Sequence, residues 1–192
     1  MSRALAAADR VESDAYFTPD AVAVACVGLL RFPVGAVVWE PHAGGGAFVR
    51  ALAARGARVA ASDLTERPWP EATWTGQGDF LTIDTPGCPS PSWIVGNPPF
   101  RRFEDHLDHA LASAYNVAFL LRVAAMETAA RVPAWRRWPL RRVTVLAERP
   151  SFSVDGRTDT TAYGWFEFER GWKRPAVIVP GWSWRPKTET TP

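Results

Sequence analysis

Ala36-Val37-Val38-Trp39-Glu40-Pro41-His42-Ala43-Gly44-Gly45-Gly46 is the stretch from which the fold can be read. Residues 36–40 are a short β-branched and aromatic run, the pattern of a buried strand. Three successive glycines then permit a sharp turn and a close approach of ligand to backbone. Ala47 to Arg55 reads as a helix stopped by Gly56, and Arg58 to Asp63 as a second strand. Strand, glycine turn, helix and strand make a βαβ unit, which begins a parallel sheet. In such sheets ligands bind beyond the carboxyl ends of the strands. The dinucleotide pattern GxGxxG is not met, because Gly44 and Gly46 fit but Val49 stands third. The glycine turn therefore gains meaning from its neighbours: Glu40 before it, and Asp63 where a ribose diol is held in related folds.

Outward from this unit, Thr18 reads as a helix N-cap and Pro19 as the first residue of a helix running to Leu30. On the other side, Trp74 to Phe80 contains a short third strand ending at Gly78-Asp79-Phe80, and residues 82–91 are loop. Ser92 to Gly96 is strand four. Arg101 to Tyr115 has helical spacing, with Phe103, Leu107, Ala110, Leu111 and Ala114 on one face. Asn116 to Leu121 is strand five, and Val123 to Arg131 reads as helix. Val143 to Ala147 is strand six, Trp165 to Glu169 strand seven, and Val177 to Val179 its continuation or partner. The expected domain spans residues 16–180, between a flexible leader (1–15) and an extended tail (181–192). Too few residues follow Phe100 for a separate target-recognition domain.

The 192 residues suit one domain, and an apolar content of 47% suffices for a sizeable core. Net charge is only +2, so the chain as a whole does not announce a nucleic-acid partner. Of its 22 basic residues 20 are arginine, and they cluster. Cys26 and Cys88 lack CxxC spacing, which argues against a disulfide framework or a zinc site. No stretch approaches the ~18 apolar residues of a membrane span, and no signal-peptide core is visible. A cytoplasmic protein is expected.

Trp93-Ile94-Val95-Gly96-Asn97-Pro98-Pro99-Phe100 carries the most specific chemistry. An apolar strand stops on an amide, two prolines and an aromatic ring. The prolines have no N–H and fix φ, so the sheet cannot continue. Asn97 is thereby delivered to the carboxyl edge of the sheet. The Asn97 side-chain oxygen and the Pro98 carbonyl can each accept one N–H from an amino group on a planar base. Such acceptors draw the nitrogen toward a tetrahedral arrangement and free its lone pair.

Tyr16-Phe17-Thr18-Pro19, Glu40 to Gly46, Asp63, Gly78-Asp79-Phe80 and Asn97-Pro98-Pro99-Phe100 occur in that order. Together they resemble the S-adenosylmethionine-dependent N6-adenine DNA methyltransferases, in the family's gamma arrangement. The resemblance implies a Rossmann-like class I methyltransferase, an α/β fold with a mixed seven-stranded sheet, helices on both faces and an antiparallel last strand. It implies that Thr18, with the backbone near Tyr16, holds the methionine carboxylate of S-adenosylmethionine. Glu40, Pro41 and the backbone of Ala43, Gly44 and Gly46 would surround its methionine and ribose parts. Asp63 would hold the ribose hydroxyls, Leu64 would pack on the adenine, and Asp79 would accept from the adenine amino group beside Phe80. Asn97, Pro98, Pro99 and Phe100 would be catalytic, with Asn97 also among the cofactor-binding residues and Phe100 stacked on a target base flipped out or unpaired. His42 departs from the family, which carries a small hydroxyl residue there; it reads as a neutral surface histidine.

Two readings fit the stretch from Arg131 to Arg142. Arg136 and Arg137 contact phosphates while Trp135 and Trp138 stack on bases, or the tryptophans pack on the sheet and the arginines are solvated. In the family a loop between strands six and seven helps form the target pocket, which makes Phe152 and Tyr163 substrate-binding candidates. His106 and His109 share a helix face among acidic residues, but with only His42 besides, no metal site is assigned. The expected partner is DNA, with a dimer or recognition subunit as a possible source of specificity. The small size suits a solitary or phage-encoded enzyme. The rival readings are the same chemistry on RNA adenine or a protein glutamine, a non-catalytic nucleic-acid-binding module, and a nicotinamide-dependent oxidoreductase resting on the glycine turn alone.

Overall fold

The computed structural model describes residues 17–152 and 161–185. The expectations for Tyr16, for the leader and for the end of the tail fall outside the described residues. Strands form where the sequence offers apolar runs that can be buried from both sides. These are β1 (Val37–Glu40), β2 (Arg58–Asp63), β4 (Trp93–Gly96), β5 (Asn116–Arg122) and β7 (Tyr163–Glu169), joined by β3 (Trp74–Gln77), β6 (Leu140–Leu146) and β8 (Val177–Trp182). Their order across the sheet is β3-β2-β1-β4-β5-β7-β6-β8. The first five are parallel, β7 is antiparallel to both β5 and β6, and β8 runs parallel to β6.

Helices cover both faces. α1 (Asp20–Leu29) and α2 (Ala47–Ala54) bury Val22, Cys26, Phe48 and Leu52 against one face, together with Val38, Val95 and Trp165. α3 (Phe103–Ser113) and α4 (Val132–Arg137) cover the other, where Phe103, Leu107 and Trp138 meet Trp39, Ile94 and Phe166. α2 ends as expected: Gly56 takes φ +80°, its N–H donates to the Ala53 carbonyl, and the Ala57 N–H donates to that of Leu52. These paired bonds satisfy carbonyls that the helix end leaves open.

Four sequence expectations change. The sheet has eight strands rather than seven: residues 177–182, whose run is interrupted by Pro180 and Gly181, pair with β6 across an irregularity near Thr144. β6 starts at Leu140, because Arg141 and Arg142 enter the strand opposite Glu169 (3.5 Å) and Glu167 (3.9 Å). Residues 123–131 form two 3-10 turns, Val123–Met126 and Ala129–Arg131, separated by Thr128 at φ +89°, outside any helical path. Thr18 does not cap α1. Pro19 occupies that position, and no side chain caps the helix. Among the described residues no helix is long and apolar enough to cross a membrane.

Candidate active site

From β1 the chain moves outward to β2 and β3, then returns to place β4 on the other side of β1. Their connections leave in opposite directions, and a crevice opens at their carboxyl ends. The glycine turn emerges there from β1 and the Asn-Pro-Pro-Phe turn from β4. A cleft of about 890 Å³ is lined by Pro41, His42 and Gly44, by Asp63 and Leu64, by Asp79 and Phe80, and by Asn97 to Phe100. A narrow space of about 30 Å³ shares His42, Gly44 and Asn97 with the cleft and is closed by Thr18 and Ala43. The structure thus brings most of the expected residues together.

On the β1–β3 side, the Gly44 N–H donates to Asp63 Oδ2 (2.9 Å) and the Thr65 N–H to Oδ1 (3.0 Å). The carboxylate is held at the rim and keeps lone pairs for a ligand. Leu64, 66% exposed, offers apolar surface beside it. Asp79 Oδ1 accepts the Leu81 N–H at 3.0 Å. Phe80 is 2% exposed and meets Trp39 edge-on at 5.0 Å, so it forms the floor of the cleft and presents little ring surface. Gly46 lines neither space. It takes φ +80° where α2 begins, and a Cβ there would meet Arg50 and Trp69 at 3.0 Å, so its part is conformational.

Glu40 is fully buried. Its Oε1 accepts the His42 N–H at 2.9 Å, and Oε2 has no partner among the described residues. Burial pushes this carboxyl well above the usual carboxylate range; the His42 N–H partly offsets that, and the nearby Asp63 charge adds to it. A Cβ at Gly96 would overlap the Glu40 carboxylate. Gly96 is therefore a site residue that sequence reasoning passed over, although a glycine closing an apolar strand is a signal of close approach.

On the β4–β5 side, Asn97 Nδ2 donates to Thr18 Oγ1 at 3.2 Å. Asn97 Oδ1 is buried without a partner among the described residues. The Pro99 carbonyl accepts the Arg102 N–H (3.2 Å), which closes the turn into the 3-10 helix Phe100–Arg102. The Arg122 guanidinium lies 4.6 Å over the Phe100 ring, and Tyr163 stands 5.7 Å from it. Tyr163 is fully buried, with Phe152 packed on it at 4.9 Å. Tyr163 thus supports Phe100 and Phe152 supports Tyr163, and neither is among the residues lining the cleft.

Arg136 and Arg137 are exposed on α4, away from the cleft, and Arg137 pairs with Asp108 at 3.0 Å. Trp138 donates to Asp108 Oδ1 (2.6 Å) and Trp135 to the Ala125 carbonyl (2.9 Å), while their rings pack on Phe103, Phe166 and Phe168. The tryptophans of this stretch follow the packing reading, and of its arginines Arg131 pairs with Glu104 at 2.8 Å. The cleft's own arginines are Arg67, the adjacent Arg101 and Arg102, and Arg122, gathered by the fold. His42 is not a surface residue: its Nε2 lies 2.7 Å from His106 Nδ1, with the ring between Phe80 and Phe119. His109 turns instead to the edge of Phe80 at 4.7 Å.

By sequence, the chain matches no family model and no curated protein. By structure it is similar to the methyltransferase subunit of a type I restriction-modification system from Streptococcus thermophilus, with a TM-score of 0.58, 12% identity, and 81% of this chain and 45% of that one covered. It is similar to the type I restriction enzyme EcoKI M protein, with a TM-score of 0.62, 14% identity, and 80% and 44% covered. The 23S rRNA methyltransferase ErmE gives 0.59, 19%, and 80% and 69%. The chain spans less than half the length of the two restriction-modification proteins. At these identities the likeness concerns architecture: the chain has the Rossmann-like fold of the methyltransferases, a mixed sheet with helices on both faces.

Proposed function

We propose that the protein transfers a methyl group from S-adenosylmethionine to the exocyclic N6 amino group of adenine in DNA, on a base flipped out or unpaired. The observation that carries this reading is Asn97. Its amide nitrogen is committed to Thr18, and its oxygen is left buried, unpartnered and at the cleft. A buried acceptor without a donor is costly, and an incoming amino group relieves that cost. The adjacent Pro98 carbonyl offers the second acceptor, while that of Pro99 is already engaged.

The residues fit the cofactor. Asp63 at the cleft suits a diol and Leu64 with Asp79 an aminopurine, while Glu40, buried behind the glycine turn and lining neither space, holds the His42 N–H. Thr18 accepts from Asn97 and keeps its own hydroxyl hydrogen to donate to a carboxylate. S-adenosylmethionine, when bound, supplies an electrophilic methyl group on a sulfonium. The protein's part is to hold it against the amine that Asn97 orients and to exclude water. Asp63, Asp79 and Arg67 line the cleft beyond β2 and β3, whereas Arg101, Arg102 and Arg122 line it beside Phe100, with Arg102 paired to Asp105 at 3.1 Å. Arginines around the acceptor half favour a phosphate-bearing substrate over a protein amide. A base can reach such a cleft only out of its duplex stack.

Methyl-labelled S-adenosylmethionine offered with duplex DNA, single-stranded DNA, RNA and protein tests the proposal. Label is expected on DNA adenine, and label confined to RNA or protein overturns the DNA assignment. Asn97→Ala is expected to lose on the order of 10²–10³-fold in rate while still binding the cofactor.

A further inference from the structure

The His42–His106 pair has no part in the chemistry above. We infer that these two rings form a proton exit path, which carries away the proton that the substrate amine must release. The inference rests on the methyl-transfer reading. His42 follows β1 in the glycine turn, and His106 lies on α3. Their nitrogens meet at 2.7 Å, a hydrogen bond with one proton between two rings. Both rings line the cleft, and His42 also lines the narrow space beside Asn97 and Thr18. His42 Nδ1 is buried with no partner among the described residues.

This arrangement decides the tautomers. An orphaned buried N–H is rarer than an under-satisfied acceptor, so Nδ1 of His42 is a bare lone pair. His42 Nε2–H then donates to His106 Nδ1, and His106 carries its own proton on Nε2. The pair accepts at one end and releases at the other.

The step balances. The amine lone pair forms the N–C bond, and the C–S bond breaks with its electrons left on sulfur. As the N–C bond forms the nitrogen, still holding both its protons, gains positive charge, and in the same step it loses one proton to His42 Nδ1 while the N–H electrons return to nitrogen. His42 Nε2–H passes to His106 Nδ1, and His106 Nε2–H passes to water. Neither the Asn97 amide nor the Pro98 carbonyl is basic enough for this task. Burial lowers the proton affinity of both rings, His106 to about 4, which keeps them neutral and ready to relay. Charged and titratable groups around the pair are Glu40 at the end of β1, Asp79 after β3, and Arg102, Asp105 and His109 on and beside α3.

Nitrogen-15 NMR of the wild-type protein reads the pair without any substrate. Coupling between His42 Nε2 and His106 Nδ1 through one proton is expected; two rings titrating independently near the ordinary ~6.5 overturn the relay. In single-turnover assays on whichever acceptor the wild type methylates, His106→Asn and His42→Asn are expected to keep cofactor affinity by calorimetry. Each is expected to lose on the order of 10²-fold in rate, with added imidazole restoring part of it in His106→Ala. Rates within about twofold of wild type overturn the relay and leave methyl transfer standing. A wild type that binds the cofactor yet labels no acceptor overturns both.

Discussion

At the scale of single residues, Glu40 is a buried carboxyl whose burial costs stability. Its carboxyl is fully buried and its Oε2 unpartnered, so in the free protein it holds its proton well above the usual range. In the unfolded chain it ionises near its ordinary value, and folding stability therefore falls as pH rises past that value. Glu40→Gln removes this penalty. Its melting temperature is expected to match wild type near pH 4 and to exceed it at pH 8. An equal melting difference at both pH values would show that Glu40 is ionised in the folded protein. Glu40 and Asn97 could be nominated from the sequence because their neighbours form recognisable turns. Gly96 carried only the general signal of a glycine closing a strand, and His106 none, since what each meets lies opposite: a carboxylate from β1 and a ring from the glycine turn.

Secondary-structure elements were legible where one local rule dominates. Apolar runs placed β1, β2, β4 and β5, and Gly56 placed the end of α2. They were misjudged where partners decide. β6 begins among arginines whose charges are met by Glu167 and Glu169 on β7, and β8 exists only because β6 offers it an edge. The Arg-Trp stretch is the sharpest case, because its composition suits nucleic acid equally well. Trp138 is 5% exposed and bonded to Asp108. Trp138→Ala is therefore expected to cost roughly 3–5 kcal/mol of stability in denaturant unfolding. The affinity of the folded fraction for a single-stranded oligonucleotide should not change. A loss of affinity at full stability would restore the stacking reading.

At the scale of the whole molecule, a net charge of +2 conceals a cleft that gathers four arginines, three of them on the Phe100 side. Arg101→Gln is expected to weaken oligonucleotide binding and to reduce the slope of log affinity against log salt by about 1. Arg137→Gln, on α4 outside the cleft, is expected to leave that slope unchanged; fluorescence anisotropy across a salt series measures both. Folding stability should carry the signature of the histidine pair. Both rings are neutral in the folded protein and protonate in the unfolded chain near their ordinary value, so the unfolded state binds more protons over this range. Stability therefore falls as pH drops from about 6.5 to about 4, where His106 protonates in place. The melting curve of His106→Asn is expected to be flatter over this interval; an unchanged slope would mean that His106 binds protons alike in the folded and the unfolded chain.

The sequence by itself determined the βαβ start, the glycine turn and the Asn-Pro-Pro-Phe turn, because each follows from local backbone chemistry: apolar runs, free φ at glycine, missing N–H groups at proline. It thereby determined which atoms could hold an amine. Only the tertiary structure decided which arginines line the cleft, that Trp135 and Trp138 pack on the sheet, and that His42 meets His106. Those outcomes depend on strand order and on crossing helices, which join residues as far apart as Thr18 and Asn97 or His42 and His106. Such contacts leave no local signal, because the groups that satisfy one another lie on elements brought together only by burial of a shared core.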